Sequence, residues 1–129
     1  MALILPVVVT IVLGCVDFGR FAYNYIALTN SARAGASYAM MNNYSSSTYG
    51  TWVSGITTAA QQEMNGQTGY NSNNLTVAAP VVTVESSGLR RAQLTVSYPF
   101  QTLVPWSWSG VGIPSSMTMQ RTVVVRLIR

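Results

Sequence analysis

The chain has 129 residues, a net charge of +4 and 8% charged residues, well below the roughly 25% usual in soluble globular proteins. It has no His, one Cys and three acidic residues, so it lacks most side chains used in acid–base catalysis or metal binding. We therefore expect no catalytic, cofactor or metal site. The seven basic residues are scattered arginines, which argues against nucleic-acid binding.

The first sixteen residues are uncharged and mostly aliphatic, and they end at Asp17. One interpretation is a cleaved secretory signal, whose apolar core has this length. Such a signal begins with basic residues, however, and no basic residue precedes this apolar run. A transmembrane span of about 20 residues is a second interpretation, with Asp17 and Arg20 one helical turn apart and able to neutralise each other. A third is a helix that becomes the buried spine of an assembly of identical subunits.

Helical periodicity continues beyond this run and predicts one helix over residues 2–41, about 60 Å long. Pro6 removes one backbone donor and is expected to kink it. Small residues crowd its second half, and we interpret them as a surface for close helix association more than as a core. They are Ala27, Ser31, Ala32, Ala34, Gly35, Ala36 and Ser37.

A polar loop over residues 42–50 is expected to end this helix. Four-residue spacing then predicts a short amphipathic helix over residues 49–65. Its apolar stripe, interpreted as core, consists of Trp52, Ile56, Ala60 and Met64.

From Leu75 onward the apolar period changes to two, which predicts strands over residues 75–85, 92–98 and 117–128. Pro80 makes the first an edge strand or marks a bulge. The sheet's apolar face needs a cover, which the amphipathic helix and the second half of the long helix can provide. The predicted fold class is α+β: a long hydrophobic N-terminal helix over residues 1–41, then a head over residues 42–129 with a three- to four-stranded antiparallel sheet.

Residues 99–114 are expected to form a long loop. Its Trp106 and Trp108 either form an outer contact, for a neighbouring subunit or a glycan, or pack under the sheet. Arg90 and Arg91 are interpreted as a solvated pair.

Three ordered pieces of the first forty residues resemble the TadE-like pilins and pseudopilins of the tight-adherence branch of bacterial type IV pili. They are Ala-Leu-Ile-Leu-Pro at 2–6, Asp-Phe-Gly-Arg at 17–20 and Ala-Leu-Thr-Asn-Ser-Ala-Arg-Ala-Gly-Ala at 27–36. Tyr98, Pro99 and Phe100 also resemble the family's strand ending. Related prepilins usually carry a Glu just before the stretch matching Met1, whereas here no acid precedes Asp17.

The resemblance implies a structural pilin that is processed by a prepilin peptidase. It would leave the bacterial inner membrane, through the pilus assembly machinery, for an extracellular filament of its own copies, with surface attachment as the expected role. A minor pseudopilin that primes or caps another filament and a membrane-anchored binding module remain alternatives. The expected assembly interface comprises Leu3, Leu5, Pro6, Val9, Leu13, Asp17, Phe18, Arg20 and Phe21.

Overall fold

The computed structural model describes residues 4–65, 67, 69–104, 107–108, 111–112 and 114–128. Helix α1, Ile4–Met41, is followed by α2, Tyr49–Met64, and by a 3-10 turn at Ser72–Asn74. The strands are β1 (Thr76–Val77), β2 (Val81–Val84), β3 (Arg90–Gln101), β4 (Ser107–Trp108), β5 (Val111–Gly112) and β6 (Ser116–Leu127). The predicted α+β class, with a long first helix and a four-stranded antiparallel sheet, is confirmed.

Helix α1 is continuous over 38 residues, about 57 Å at 1.5 Å per residue. It remains helical through Pro6 and Gly14, and it ends at Met41 as predicted. Only its second half takes part in the core of the head. The two halves of one helix therefore have different surroundings.

Five of the seven small residues of α1 lie in this core, so our interpretation of them as association surface more than core is wrong for these five, whereas Ala34 is half-buried and Ser37 is exposed. Ala27, Ser31, Ala32, Gly35 and Ala36 are all buried. A Cβ atom added at Gly35 would lie 2.9 Å from Leu94 Cδ2 and 3.3 Å from Ile56 Cγ2. The absent side chain lets both the sheet and α2 approach the helix closely.

Helix α2 packs mainly along α1, and its four predicted core residues are all buried. Two hydrogen bonds link α2 to α1. The Ser31 hydroxyl donates to the Ala60 carbonyl at 2.8 Å, and the Trp52 indole N–H donates to the Ala39 carbonyl at 3.3 Å. The sheet is covered chiefly by α1, with α2 behind it.

Strand β3 is the centre of the main sheet. It pairs with β6 along its whole length, so its other edge is shared by β1 and β2 in succession. Residues 78–80 separate these two short strands, so the single strand predicted over residues 75–85 is divided, and both parts lie at the edge of the sheet as Pro80 indicated.

The predicted alternation of both long strands is confirmed. Leu94 and Val96 of β3 and Met119 of β6 are buried on the face that meets α1, and Phe100 continues this face to the end of β3. The loop predicted from residue 99 is wrong at its start, because β3 continues through Pro99 to Gln101. Ala78 N donates to Thr95 O, so odd-numbered residues of β3 direct their backbone groups to the β1 edge. Since β1 does not reach Pro99, the missing N–H there breaks no ladder bond.

The rest of the predicted loop contains the antiparallel strand pair β4–β5, which the sequence did not indicate. Arg90 and Arg91 of β3 are both exposed, as expected of a solvated pair, and each also has a partner. Arg91 forms an ion pair with Glu85, and the Arg90 guanidinium carbon lies 5.5 Å from the centre of the Tyr44 ring. The Glu85 carboxylate also forms an ion pair with Arg126 at 3.4 Å, so it contacts one arginine of β3 and one of β6.

Candidate functional site: an exposed apolar arm and its junction with the head

Residues 4–16 form an arm of α1, called here the apolar arm, whose side chains are mostly open to the surroundings. Leu5 is 72% exposed, Val9 48% and Leu13 37%. Pro6 is also exposed, and the Thr10 hydroxyl donates to its carbonyl at 2.8 Å. Aliphatic side chains in such number are unfavourable in water, at roughly 25 cal/mol per Å² of apolar surface. The arm therefore needs a membrane or another protein surface.

By length and composition, α1 qualifies as a membrane-spanning helix. Its most apolar 18-residue window has a mean hydropathy of 1.9, and 6% of that window is buried within the chain. The core helix of a soluble protein passes the same test, but it would be mostly buried. The exposure of this window makes α1 compatible with a membrane anchor.

Asp17 marks the junction between the arm and the head, and it is 5% exposed. Its carboxylate accepts hydrogen bonds from the backbone N–H groups of Leu103 at 2.9 Å and Val104 at 3.3 Å. The guanidinium of Arg20 lies 3.3 Å from the same carboxylate. The expected pairing of Asp17 with Arg20 is thus present. Asp17 also ties the backbone just after β3 to the helix, across 86 residues of sequence.

Aromatic rings complete this junction. The Phe21 ring meets the Phe100 ring edge to face, with centroids 5.5 Å apart, and stacks near Tyr25 at 6.2 Å. The Arg20 guanidinium lies 5.7 Å from the centre of the Phe100 ring. Cation–π and aromatic contacts of this kind contribute about 0.5–1.5 kcal/mol each. The end of β3 is thereby held against α1 one turn beyond Asp17.

Beside the junction lies a cleft of about 440 Å³, called here the Phe100 cleft. Its walls are Gly14, Asp17, Phe18 and Phe21 of α1, Phe100 of β3, Thr102, and Met117 of β6. Phe18 stands at its rim with 72% of its surface exposed. The lining is almost entirely apolar, so water in the cleft has few hydrogen-bond partners.

The structure places most of the residues expected at the assembly interface on one continuous element. From Leu5 to Leu13 they lie on the exposed arm, and from Asp17 to Phe21 they lie at the junction. Leu3 and Trp106 lie outside the described residues. Trp108 belongs to β4, and its side chain also lies outside the description. The role of these residues in assembly remains a prediction.

Sequence reasoning missed the partners of Asp17 in the 102–104 segment. The only signal was an acid at the end of an apolar run, and this signal predicts the local pair with Arg20 alone. The sequence also gave no sign of the Phe100 cleft, since its walls come from α1 and from two strand ends. Among the described residues, no group of three or more His, Cys, Asp or Glu side chains is placed to hold a metal ion.

Residues 1–37 match the family model for TadE-like proteins. The suspected resemblance is thus confirmed over this TadE-like segment, which comprises the apolar arm, the junction and most of the small-residue half of α1. No curated protein and no solved structure matched the chain. The TadE-like segment indicates a protein associated with a Tad pilus, and this family is in general non-enzymatic.

Proposed function

We propose that this protein is a structural pilin, which packs its apolar arm against copies of itself in a Tad-type filament. The observation that carries this proposal is the exposure of the arm on a helix whose other half is buried in the head. A helix built only to complete the head needs none of residues 4–16. The TadE-like match over residues 1–37 supports the same conclusion.

Before assembly, the arm lies in the bacterial inner membrane. Residues 4–16 span about 20 Å as a helix, less than the roughly 30 Å of hydrocarbon in a bilayer, so flanking residues complete the span. After processing by a prepilin peptidase, the assembly machinery transfers the arm from lipid to the filament interior. Because lipid and filament interior are both apolar, close packing decides the transfer more than hydrophobicity does.

Outside the cell, the heads form the filament surface and contribute to attachment. Their surface is rich in hydroxyl and amide side chains rather than in charges. This suits a polymer whose neighbouring heads carry the same net charge, because fewer like charges face each other.

The proposal is tested by shearing filaments from producing cells and quantifying this protein by mass spectrometry against every other component. As the main subunit, it is expected to dominate the sheared fraction. A trace amount there, with most of the protein kept in the membrane, contradicts the proposal and favours a minor pseudopilin or an anchored module. The N-terminal peptide from the same measurement defines the mature start of the chain.

A matched pair of variants tests the arm itself. Val12 on the arm is 55% exposed, and Val124 on the outer face of β6 is 50% exposed. Val12→Asn is expected to lower filament yield at least tenfold, because a polar group then enters the apolar packing of the arm. Val124→Asn is expected to stay within twofold of the parent. Quantifying each variant in the membrane fraction separates failed insertion from failed assembly.

A further inference from the structure

We infer that the Phe100 cleft is the receptor for the apolar arm of a second copy of this chain. This inference rests on the proposed function and specifies the contact by which one subunit holds the next. It begins from the cleft itself, which is apolar, open and placed where the exposed arm meets the head. The arm and the cleft are adjoining surfaces, because α1 carries the arm and Phe18 at the cleft rim.

The chain cannot fill its own cleft with its own arm. Helix α1 continues without interruption from Ile4 through Phe21, so the arm contributes only Gly14 to the cleft, and its residues before Gly14 extend away along the helix axis. Hydrogen bonds to Asp17 and the packing of Phe21 on Phe100 hold this part of the helix to the head. Any arm that enters the cleft must therefore come from another molecule.

The arm supplies an exposed apolar surface for such a contact. Nine aliphatic residues before Asp17 are each between 37% and 72% exposed. They are Ile4, Leu5, Val7, Val8, Val9, Ile11, Val12, Leu13 and Val16. About half of them lie on any one face of the helix, so a single contact buries less than the roughly 800 Å² that each partner contributes to a standard stable interface, and repeated contacts along an array add to it. A surface of this chemistry matches the apolar lining of the cleft.

The two surfaces differ, so the contact is heterologous. Each copy offers one arm and one cleft, and a contact between unlike surfaces produces a ring or an open helical array rather than a closed dimer. Parallel helices joined in this way are staggered by the distance from the middle of the arm to the cleft, on the order of 15 Å along the axis. The cleft thus gives a physical reason for growth into a filament.

Disulfide cross-linking in the full chain tests this inference. The native Cys15 is exposed, so the background is Cys15→Ser. In that background, Met117→Cys places one thiol in the cleft, and a second cysteine replaces in turn each arm residue from 7 to 13. Filaments are sheared, oxidised and separated without reductant.

The expected result is a ladder of dimers, trimers and larger species from the double variants. It should be strongest at arm positions three or four residues apart, because one face of a helix enters the cleft. Each single-cysteine variant should give no species above a dimer. A product that stops at the dimer in every double variant overturns the heterologous contact. Filaments that form normally but show no position-dependent cross-link overturn the inference and leave the proposed function intact, and this is the outcome if lipid fills the cleft.

A second pair of variants uses neighbouring residues on opposite faces of β6. Met117 lines the cleft, whereas Thr118 is exposed on the other face. Met117→Glu is expected to reduce filament yield at least tenfold, and Thr118→Glu less than twofold. Thermal unfolding of both variants in detergent checks that the head is folded. A folded Met117→Glu variant with normal filament yield contradicts the inference. If the parent protein is only a trace component of sheared filaments, the proposed function fails, and the inference fails with it.

Discussion

The two halves of α1 show that burial does not follow hydrophobicity along this helix. The apolar arm carries Ile, Leu and Val, yet its side chains are open, with Ile11 61% exposed. The second half is rich in Ala, Ser and Gly, yet Ser31 and Ala32 are fully buried. Small side chains let α2 and the sheet approach the helix backbone. Large aliphatic ones, which the head does not cover, remain available to lipid or to another molecule.

The largest expected effect is the difference in the free energy of unfolding between two truncations to Ala, one in each half of α1. Leu28 is completely buried, so Leu28→Ala should lower the free energy of unfolding in detergent by about 2–5 kcal/mol. Ile11→Ala should change it by less than about 0.5 kcal/mol, because Ile11 is largely exposed within the chain. Chemical denaturation of both variants checks the comparison. Equal losses would show that the arm is part of the folding core.

Removing the carboxylate at the junction should have the next largest effect. Asp17→Ala leaves the N–H groups of Leu103 and Val104 without their acceptor, at a cost of about 1–3 kcal/mol. It also leaves Arg20 without this counter-charge beside the apolar arm, so filament yield should fall. Hydrogen exchange at residues 103 and 104 should become faster.

Glu63→Ala provides the control, since Glu63 is exposed on α2. It should change stability by less than about 0.5 kcal/mol. Unchanged exchange in the Asp17→Ala variant would mean that the loop is held to α1 without this carboxylate. Normal filament yield from that variant would remove Asp17 from the assembly interface.

Substitution of two glycines on α1 by Ala should change stability by smaller amounts and in opposite directions. An added Cβ at Gly35 meets Leu94 and Ile56, so Gly35→Ala should destabilise the head by about 1–2 kcal/mol. At Gly19 the added Cβ meets no described atom within 4 Å, so Gly19→Ala should stabilise the helix by about 0.5–1 kcal/mol. Thermal unfolding measures both. A loss of stability at Gly19 would indicate a close neighbour at the junction.

The smallest effect is expected at alkaline pH and only in the head. Burial raises the pKa of Tyr70 above its ordinary value of 10.0, and the nearby Tyr98 raises it further. The unfolded chain then ionises first, so the contribution of Tyr70 to stability is present below pH 10 and is lost as the pH rises above it. The hydroxyl of Tyr70 is buried and has no hydrogen-bond partner among the described residues.

Between pH 9.5 and 11, the free energy of unfolding should therefore fall less in Tyr70→Phe than in the parent. The difference should be on the order of a few tenths of a kcal/mol. Tyr23→Phe, at a tyrosine that is 49% exposed, should follow the parent. Denaturation across this pH range measures both variants. Identical slopes for all three proteins would exclude Tyr70 as the source of alkaline sensitivity.

The sequence by itself determined the elements whose patterns are local. Helical spacing located both helices, and the end of α1 at Met41 was correct. Alternation identified the buried face of β3 and β6, because successive side chains of a strand point to opposite sides. The apolar run and the motif around Asp17 were sufficient for the TadE-like resemblance, since these features lie within forty consecutive residues.

The tertiary structure alone decided which surfaces are covered. Our misinterpretation of the small residues of α1 arose because an Ala-rich stripe accepts a helix of the same chain or of another chain equally well. The contact of Asp17 with residues 103 and 104, and the walls of the Phe100 cleft, join segments about eighty or more residues apart. Such contacts depend on how the sheet is laid against α1, and no local period in the sequence encodes that placement.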